Sequence, residues 1–118
     1  MRIEKRHETV EALSADLANS RFHDVNLAGL SIDDANMARA SISRANLAGA
    51  VFADCSLQGC RIGNADMSGA SLDNVNLSHA VIENANLSAL NIRNCALDGM
   101  LIDGIPVTAL LAAYRGQP

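Results

Sequence analysis

Histidines, cysteines and a set of aspartates are the side chains of this chain with the means to do chemistry. A hydrolytic or transfer site needs a nucleophile, a base and an orienting group that converge in one pocket. His7, His23 and His79 recur at no spacing that would gather them, and isolated histidines of this kind read as solvated surface residues. Cys55, Cys60 and Cys95 are odd in number and contain no C-x-x-C pair, so neither a disulfide framework nor a zinc site is indicated. Phosphate-binding glycine loops and the H-E-x-x-H zinc signature are absent. The residues therefore predict a non-enzymatic protein, with no catalytic, cofactor-binding or metal-binding residues. What is left is surface charge. Asp33, Asp34, Asp54 and Asp73 form a candidate acidic face, and the net charge of -4 argues against direct contact with a nucleic-acid backbone, which calls for a surplus of Lys and Arg.

The elements that position these residues follow from an unusual composition. The 118 residues are 49% apolar, too hydrophobic for a disordered chain, yet only 3% are aromatic, so the rings that commonly fill a small core are missing. Ala, Leu and Asn replace them, which points to a regular array. The array has a period of five. Stepping from Leu17 to Ile102 in fives meets a large apolar residue at every position, Phe22, Met37, Phe52 and Ile82 among them, and the residue two places earlier is mostly Ala or Cys. Neither a helix at 3.6 residues nor a strand at 2 sustains that period. A chain that turns a corner at every pentad does: the large residue and the small one before it point inward, and four pentads close one square coil. Residues 15–104 then make about 4.5 coils, with the coils stacked about 4.8 Å apart.

The units Ala35-Asn36-Met37-Ala38-Arg39, Ala45-Asn46-Leu47-Ala48-Gly49, Ala65-Asp66-Met67-Ser68-Gly69 and Ala85-Asn86-Leu87-Ser88-Ala89 resemble the A(D/N)LXX consensus of the pentapeptide-repeat family. The resemblance implies an all-β solenoid, a right-handed quadrilateral β-helix with short parallel bridges along each side. It covers about three quarters of the chain. At the middle position Ser31, Ser41, Val51, Arg61, Ser71 and Val81 depart from Asp or Asn on alternate pentads, so two opposite sides carry the Asn pattern and two do not.

Residues 1–14 are expected to form a polar N-terminal cap, as a short helix or an edge strand, residues 15–104 the β-helix, and residues 105–118 a C-terminal capping helix and tail. Pro106 ends the strand-like path, and Val107, Leu110, Leu111 and Tyr114 follow at helical offsets. Leu110, Leu111 and Tyr114 are candidates for a cap or for a dimer contact. All three cysteines take the small inward position, where slow thiol modification is expected. With no basic segment leading into an apolar stretch at the start and no run long enough to span a bilayer, the sequence reads as a soluble cytoplasmic protein that makes no membrane contact.

Function then falls to the outer faces. The first side (pentads from 15, 35, 55, 75 and 95) carries a net charge of -1, the second (from 20) 0, the third (from 25) -1 and the fourth (from 30) -3. The third side is nearly bare, with Asn26, Gly29, Asn46, Gly49, Ser68, Gly69 and Asn86 as a candidate flat interaction face. The first-ranked expectation is a protein-interaction or scaffold module binding a protein partner through that face, with a homodimer as one form. The alternative follows from the resemblance: some members are DNA mimics that bind DNA gyrase and protect it from quinolones, and the fourth side would be the mimic here.

Overall fold

The computed structural model describes residues 2–4, 11–13 and 16–114. Within them the chain is a right-angled coil of about four turns closed by one short helix. The strands are β1 (Arg2–Glu4), β2 (Glu11–Leu13), β3 (Arg21–His23), β4 (Ser31–Asp33), β5 (Ser41–Ser43) and β6 (Val51–Ala53) in the N-terminal half. They continue as β7 (Arg61–Gly63), β8 (Ser71–Asp73), β9 (Val81–Glu83), β10 (Asn91–Arg93), β11 (Leu101–Ile102) and β12 (Ile105–Pro106), followed by the helix α1 (Val107–Tyr114).

Up to β11, odd and even strands stack on opposite walls. The second side is the sheet β1-β3-β5-β7-β9-β11-β12, and the fourth is β2-β4-β6-β8-β10. From β3 to β11 and from β2 to β10 each strand pairs in parallel with the strand one full coil further on, as Phe22 with Ile42 and Ile32 with Phe52. The first and third sides are held by single bridges, Asp16 to Asn36 to Ser56 to Asn76 to Ala96 and Asn26 to Asn46 to Asp66 to Asn86. The difference between the walls is the difference seen in sequence, because the bridge residues are Asn or Asp at all positions but Ser56 and Ala96.

Those side chains are used locally. Asn26, Asn36, Asn46, Asp66, Asn76 and Asn86 each accept the amide of the residue two places on with Oδ1, at 2.9–3.1 Å. The turn that follows closes with a bond between residues three apart, as Leu30 N to Leu27 O at 2.9 Å and Ala50 N to Leu47 O at 3.0 Å. Positive φ falls at the second central residue, the pattern of a type II turn. Gly takes that place five times in the bridge walls, and at Gly99 a second reason applies: a Cβ there would lie 2.5 Å from Nδ1 of His79 in the coil before.

Corners after the sheet walls are different. Asp24, Asp34, Asp54, Asn64, Asn74, Asn84, Asn94 and Asp103 all have φ between 49° and 57°, the left-handed region that Asn and Asp tolerate best among residues with a Cβ. The exception is Arg44 at 51°.

The core is the inward column. Phe22, Leu27, Ile32, Met37, Ile42, Leu47, Phe52, Leu57, Ile62, Met67 and Leu72 are fully buried, with Ala40, Ala50, Cys60 and Ala80 completing the layers. Burial lapses in the last coil: Leu87, Leu90, Ile92, Cys95 and Leu97 are only half-buried, because no further coil lies beneath them.

Both ends differ in detail from the sequence reading. In the N-terminal stretch, residues 2–4 and 11–13 are strand and pair in parallel with β3 and β4. The register puts Ile3 beside Phe22, one position short of a full coil, so the clock slips by one before residue 11. Of the two forms expected for this stretch, residues 2–4 and 11–13 take the strand; residues 5–10, His7 among them, lie outside the described residues. At the other end Pro106 does not end the strand path. Asp103 and Gly104, with φ of 49° and 78°, make a two-residue hairpin turn of the I′ kind, and β12 folds back antiparallel with Ile105 opposite Ile102 and Pro106 opposite Leu101. Pro is tolerated because β12 is the outer strand, with no further strand asking for its amide. Residues 115–118, the end of the expected capping helix and tail, lie outside the described residues.

Candidate functional surface

The sorting of residues into walls places each candidate. Asn26, Asn46 and Asn86 lie one above another on the third side with Asp66, and the turns beside them bear Gly29, Gly49, Ser68, Gly69 and Ala89. This wall brings together all the residues expected of it. Its polar groups, however, are directed to its own turns, through the Oδ1 bonds described above. Asp66 accepts both the amide and the hydroxyl of Ser68, which hold its carboxyl below the usual carboxylate range. The wall thus projects only short side chains and leaves the backbone approachable over its height.

The acidic candidates do not form one even strip. Asp33 and Asp73 stand on the fourth wall itself, in the row following the inward residue, with Ala53 between them and Arg93 below. Asp34 and Asp54 stand at the corner leading to the first wall, where their residue type suits the positive φ. Asp54 accepts Nδ2 of Asn74 at 2.8 Å, and Asp73 accepts Nδ2 of Asn94 at 3.1 Å. Asp73 also pairs with Arg93 at 3.5 Å, Oδ2 to Nη2. At the corner Asp34 and Asp54 join Asp16, Asn36, Cys55 and Ser56 around an open trough of about 450 Å³. Sequence reasoning does not place Asp16 with them, although the signal is there: residue 16 starts the pentad column that runs through Asn36 and Ser56.

Of the groups with chemical potential, His23 Nδ1 and Ser43 Oγ lie 2.8 Å apart on neighbouring strands, a contact that the coil period predicts and that the sequence reading misses. His79 lies at a turn of the first wall, away from β3. Among the described residues no cluster of three His, Cys, Asp or Glu side chains is arranged to hold a metal ion. No described helix is long and apolar enough to cross a membrane.

The cysteines divide. Cys55 and Cys60 are buried, and burial pushes both thiols up to about 12. Cys95 is half-buried in the last coil, with Sγ 3.1 Å from the carbonyl of Arg93, so the expectation of three equally buried thiols does not hold. The end candidates divide too. α1 covers the last coil with Val107, which is buried and whose amide donates to Met100 O at 3.1 Å, and with half-buried Leu111. Leu110 is 41% and Tyr114 90% exposed, so neither serves as the cap. A helix this short, beginning at the hairpin, seals only what lies beside its first turns.

A parallel coil with four walls, Asn-capped turns on two of them and apolar ladders inside defines a repeat protein whose surfaces are its walls. The family model "Pentapeptide repeats (8 copies)" matches residues 31–69, 50–88 and 60–99, more than half of the chain, and the chain belongs to the pentapeptide-repeat family. Among solved structures it is similar to the pentapeptide repeat protein Rfr23 from the cyanobacterium Cyanothece 51142, at 20% identity with a TM-score of 0.61, over 86% of this chain and 88% of that one. It is similar also to HetL, a pentapeptide repeat protein involved in heterocyst differentiation regulation from Nostoc sp. strain PCC 7120. There the identity is 23% and the TM-score 0.37, over 86% of this chain and 49% of that one. A trypsin-treated form of QnrB1, a plasmid-mediated fluoroquinolone resistance protein, is 18% identical with a TM-score of 0.30, over 91% of this chain and 95% of that one. No curated protein sequence is similar enough to count as a match.

Proposed function

We propose that this protein is a non-enzymatic interaction module that binds a protein partner across its third wall. The observation that supports this reading is the use of that wall's polar groups within its own turns, as Asn46 Oδ1 accepts from Ala48 N at 2.9 Å and Asp66 Oδ1 from Ser68 N at 2.9 Å. A surface whose turn amides are already bonded to its own side-chain oxygens gives up little of their hydration when covered, and its short side chains allow close approach of another backbone. The test is substitution by long cations in the middle of the wall. Gly49 is a poor site because its φ of 69° would add strain, so Ala48→Arg with Ser68→Arg is the better pair. Partners captured by the native chain and lost with this folded double variant support the reading; an unchanged set of partners defeats it.

A second reading is mimicry of a nucleic-acid backbone toward DNA gyrase or another DNA-binding enzyme. Its support is the trough bordered by Asp16, Asp34 and Asp54, where carboxylates of successive coils approach one another. Its support is weaker, since Asp34 and Asp54 also meet the conformational needs of their corner and Arg93 neutralises part of the strip. Binding by mimicry weakens steeply with salt and is abolished by changing Asp33, Asp34, Asp54 and Asp73 to Asn together; binding through the third wall resists both changes.

A further inference from the structure

The two sheet walls lie half a coil apart in sequence and face opposite directions, and their outward rows are complementary to one another. On the second wall, the row before the inward residue runs Arg21, Ser41, Arg61, in register. On the fourth wall, the row after the inward residue runs Asp33, Ala53, Asp73, also in register. Over these three coils both rows alternate charged and small, with opposite sign; the fourth-wall row then continues to Arg93, which pairs with Asp73 at 3.5 Å, and the second-wall row to Val81.

The remaining rows carry a shape match. Val51 stands out from the fourth wall between Ser31 and Ser71 and is 45% exposed, among the few large apolar side chains so exposed. On the second wall, Gly63 lies in register beside Ser43 and leaves a recess of about 170 Å³.

Opposite walls of one coil run in opposite directions. When a second copy is moved sideways without rotation, so that its fourth wall meets the second wall of the first, the rows meet crosswise. Arg21-Ser41-Arg61 then faces Asp33-Ala53-Asp73, and Ser43-Gly63 faces Val51. Heights are compatible with this: residue 51 lies between residues 43 and 63 along the coil axis, and 33 and 73 lie rather more than half a coil past 21 and 61, roughly 3 Å at a rise of about 4.8 Å per coil and within reach of an arginine side chain. We infer that the second and fourth walls of this chain are the two halves of one lateral contact between copies, with Val51 seated in the recess between Ser43 and Gly63 and Arg21–Asp33 and Arg61–Asp73 pairing on its flank. This goes beyond the third-wall reading and is independent of it.

Two properties follow. The contact joins different surfaces by translation, so it does not close, and copies add in a row. One strand-wide wall is well under the roughly 800 Å² per partner of a stable complex, so each contact is weak and its charge pairs are salt-sensitive.

Sedimentation velocity of the full chain up to about 1 mM tests this. At about 0.01 M salt the mean mass is expected to rise continuously with concentration, and at about 1 M salt the rise disappears. A single unchanging species across that range at low salt overturns the proposal. Two variants then assign the faces. Val51→Lys spoils only the fourth wall, and Gly63→Gln fills only the recess; Gly63 has an ordinary φ and a Cβ there would be 3.9 Å from its nearest neighbour, Glu83 O, so the fold tolerates it. Each variant alone should self-associate at least about tenfold more weakly than the native chain. Mixed in equal amounts, they keep one good wall each and should form a pair that grows no further. Variants that associate alone as the native chain does, or a mixture no heavier than its components, would equally sink the assignment.

Discussion

Residues of one chemical type take different roles here according to where the coil puts them. Cys55, Cys60 and Cys95 share an inward slot in the repeat, but only the first two have coils above and below them. A thiol reagent at neutral pH is expected to modify Cys95 in the native protein well before Cys55 and Cys60, which should react only on unfolding; equal rates at all three would contradict the burial. The same two thiols make the fold alkali-sensitive. They are held protonated to about pH 12 in the fold, while an unfolded thiol ionises near 9, so the unfolded state loses its protons first. Their contribution is complete below pH 9 and declines as pH rises from 9 toward 12. Denaturant midpoints should therefore fall over that window, and fall less in Cys60→Ala. The aspartates show the same dependence on place, since Asp34 and Asp54 suit a left-handed corner whereas Asp33 and Asp73 are not under that demand.

At the scale of the element, each pentad is a short straight piece and a corner, and two kinds of corner alternate. Where Asn or Asp begins the piece, its Oδ1 caps the turn; on the sheet walls the corner residue itself is Asp or Asn. Asn46→Ala removes the acceptor of Ala48 N and should cost about 1 kcal/mol, as loss of a comparable side-chain cap does in helices. Ser71→Ala, at the same pentad position on a sheet wall, should cost less than about 0.5 kcal/mol. Urea denaturation of both variants checks the contrast, and equal losses would mean that the Asn pattern has another purpose. The distinction is partly legible in the sequence: the alternation of Asn with Ser, Val and Arg is plain there, but what the Asn side chains bond to requires the turn geometry.

Across the whole molecule, stability is a sum over neighbouring coils, and the two ends are unequal to the middle. Phe52 is fully enclosed, whereas Ile92 is half-buried over an end that α1 covers only through Val107 and Leu111. Phe52→Ala should cost about 3–5 kcal/mol. Ile92→Ala should cost distinctly less, because part of its surface is already in water. Amide exchange is expected to follow the same gradient, fastest at β10 and the bridge at Ala96 and slowest around Phe52 and Leu57. Uniform protection along the stack would show that the end is sealed better than its burial indicates. The uncovered end also leaves Ile105, Leu110 and Tyr114 outward, so the apolar residues read as a cap are divided between closure and surface.

The spacing of large apolar side chains at every fifth place determined the coil, its four walls and its inward column without reference to any coordinates, because no other regular backbone returns a side chain to the same face at that period. It also determined which residues share a wall, since position within a coil of four pentads is position around the axis. Tertiary structure alone decided the ends and the surfaces. The slip by one position at Ile3, the hairpin that turns Pro106 back on Leu101 and the exposure of Tyr114 each depend on what lies beyond the last coil, which a repeat cannot encode because its pattern describes only a coil with neighbours. The division of the aspartates between corner and wall and the recess beside Gly63 likewise arise from φ angles and heights along the axis, quantities that exist only once the chain is wound.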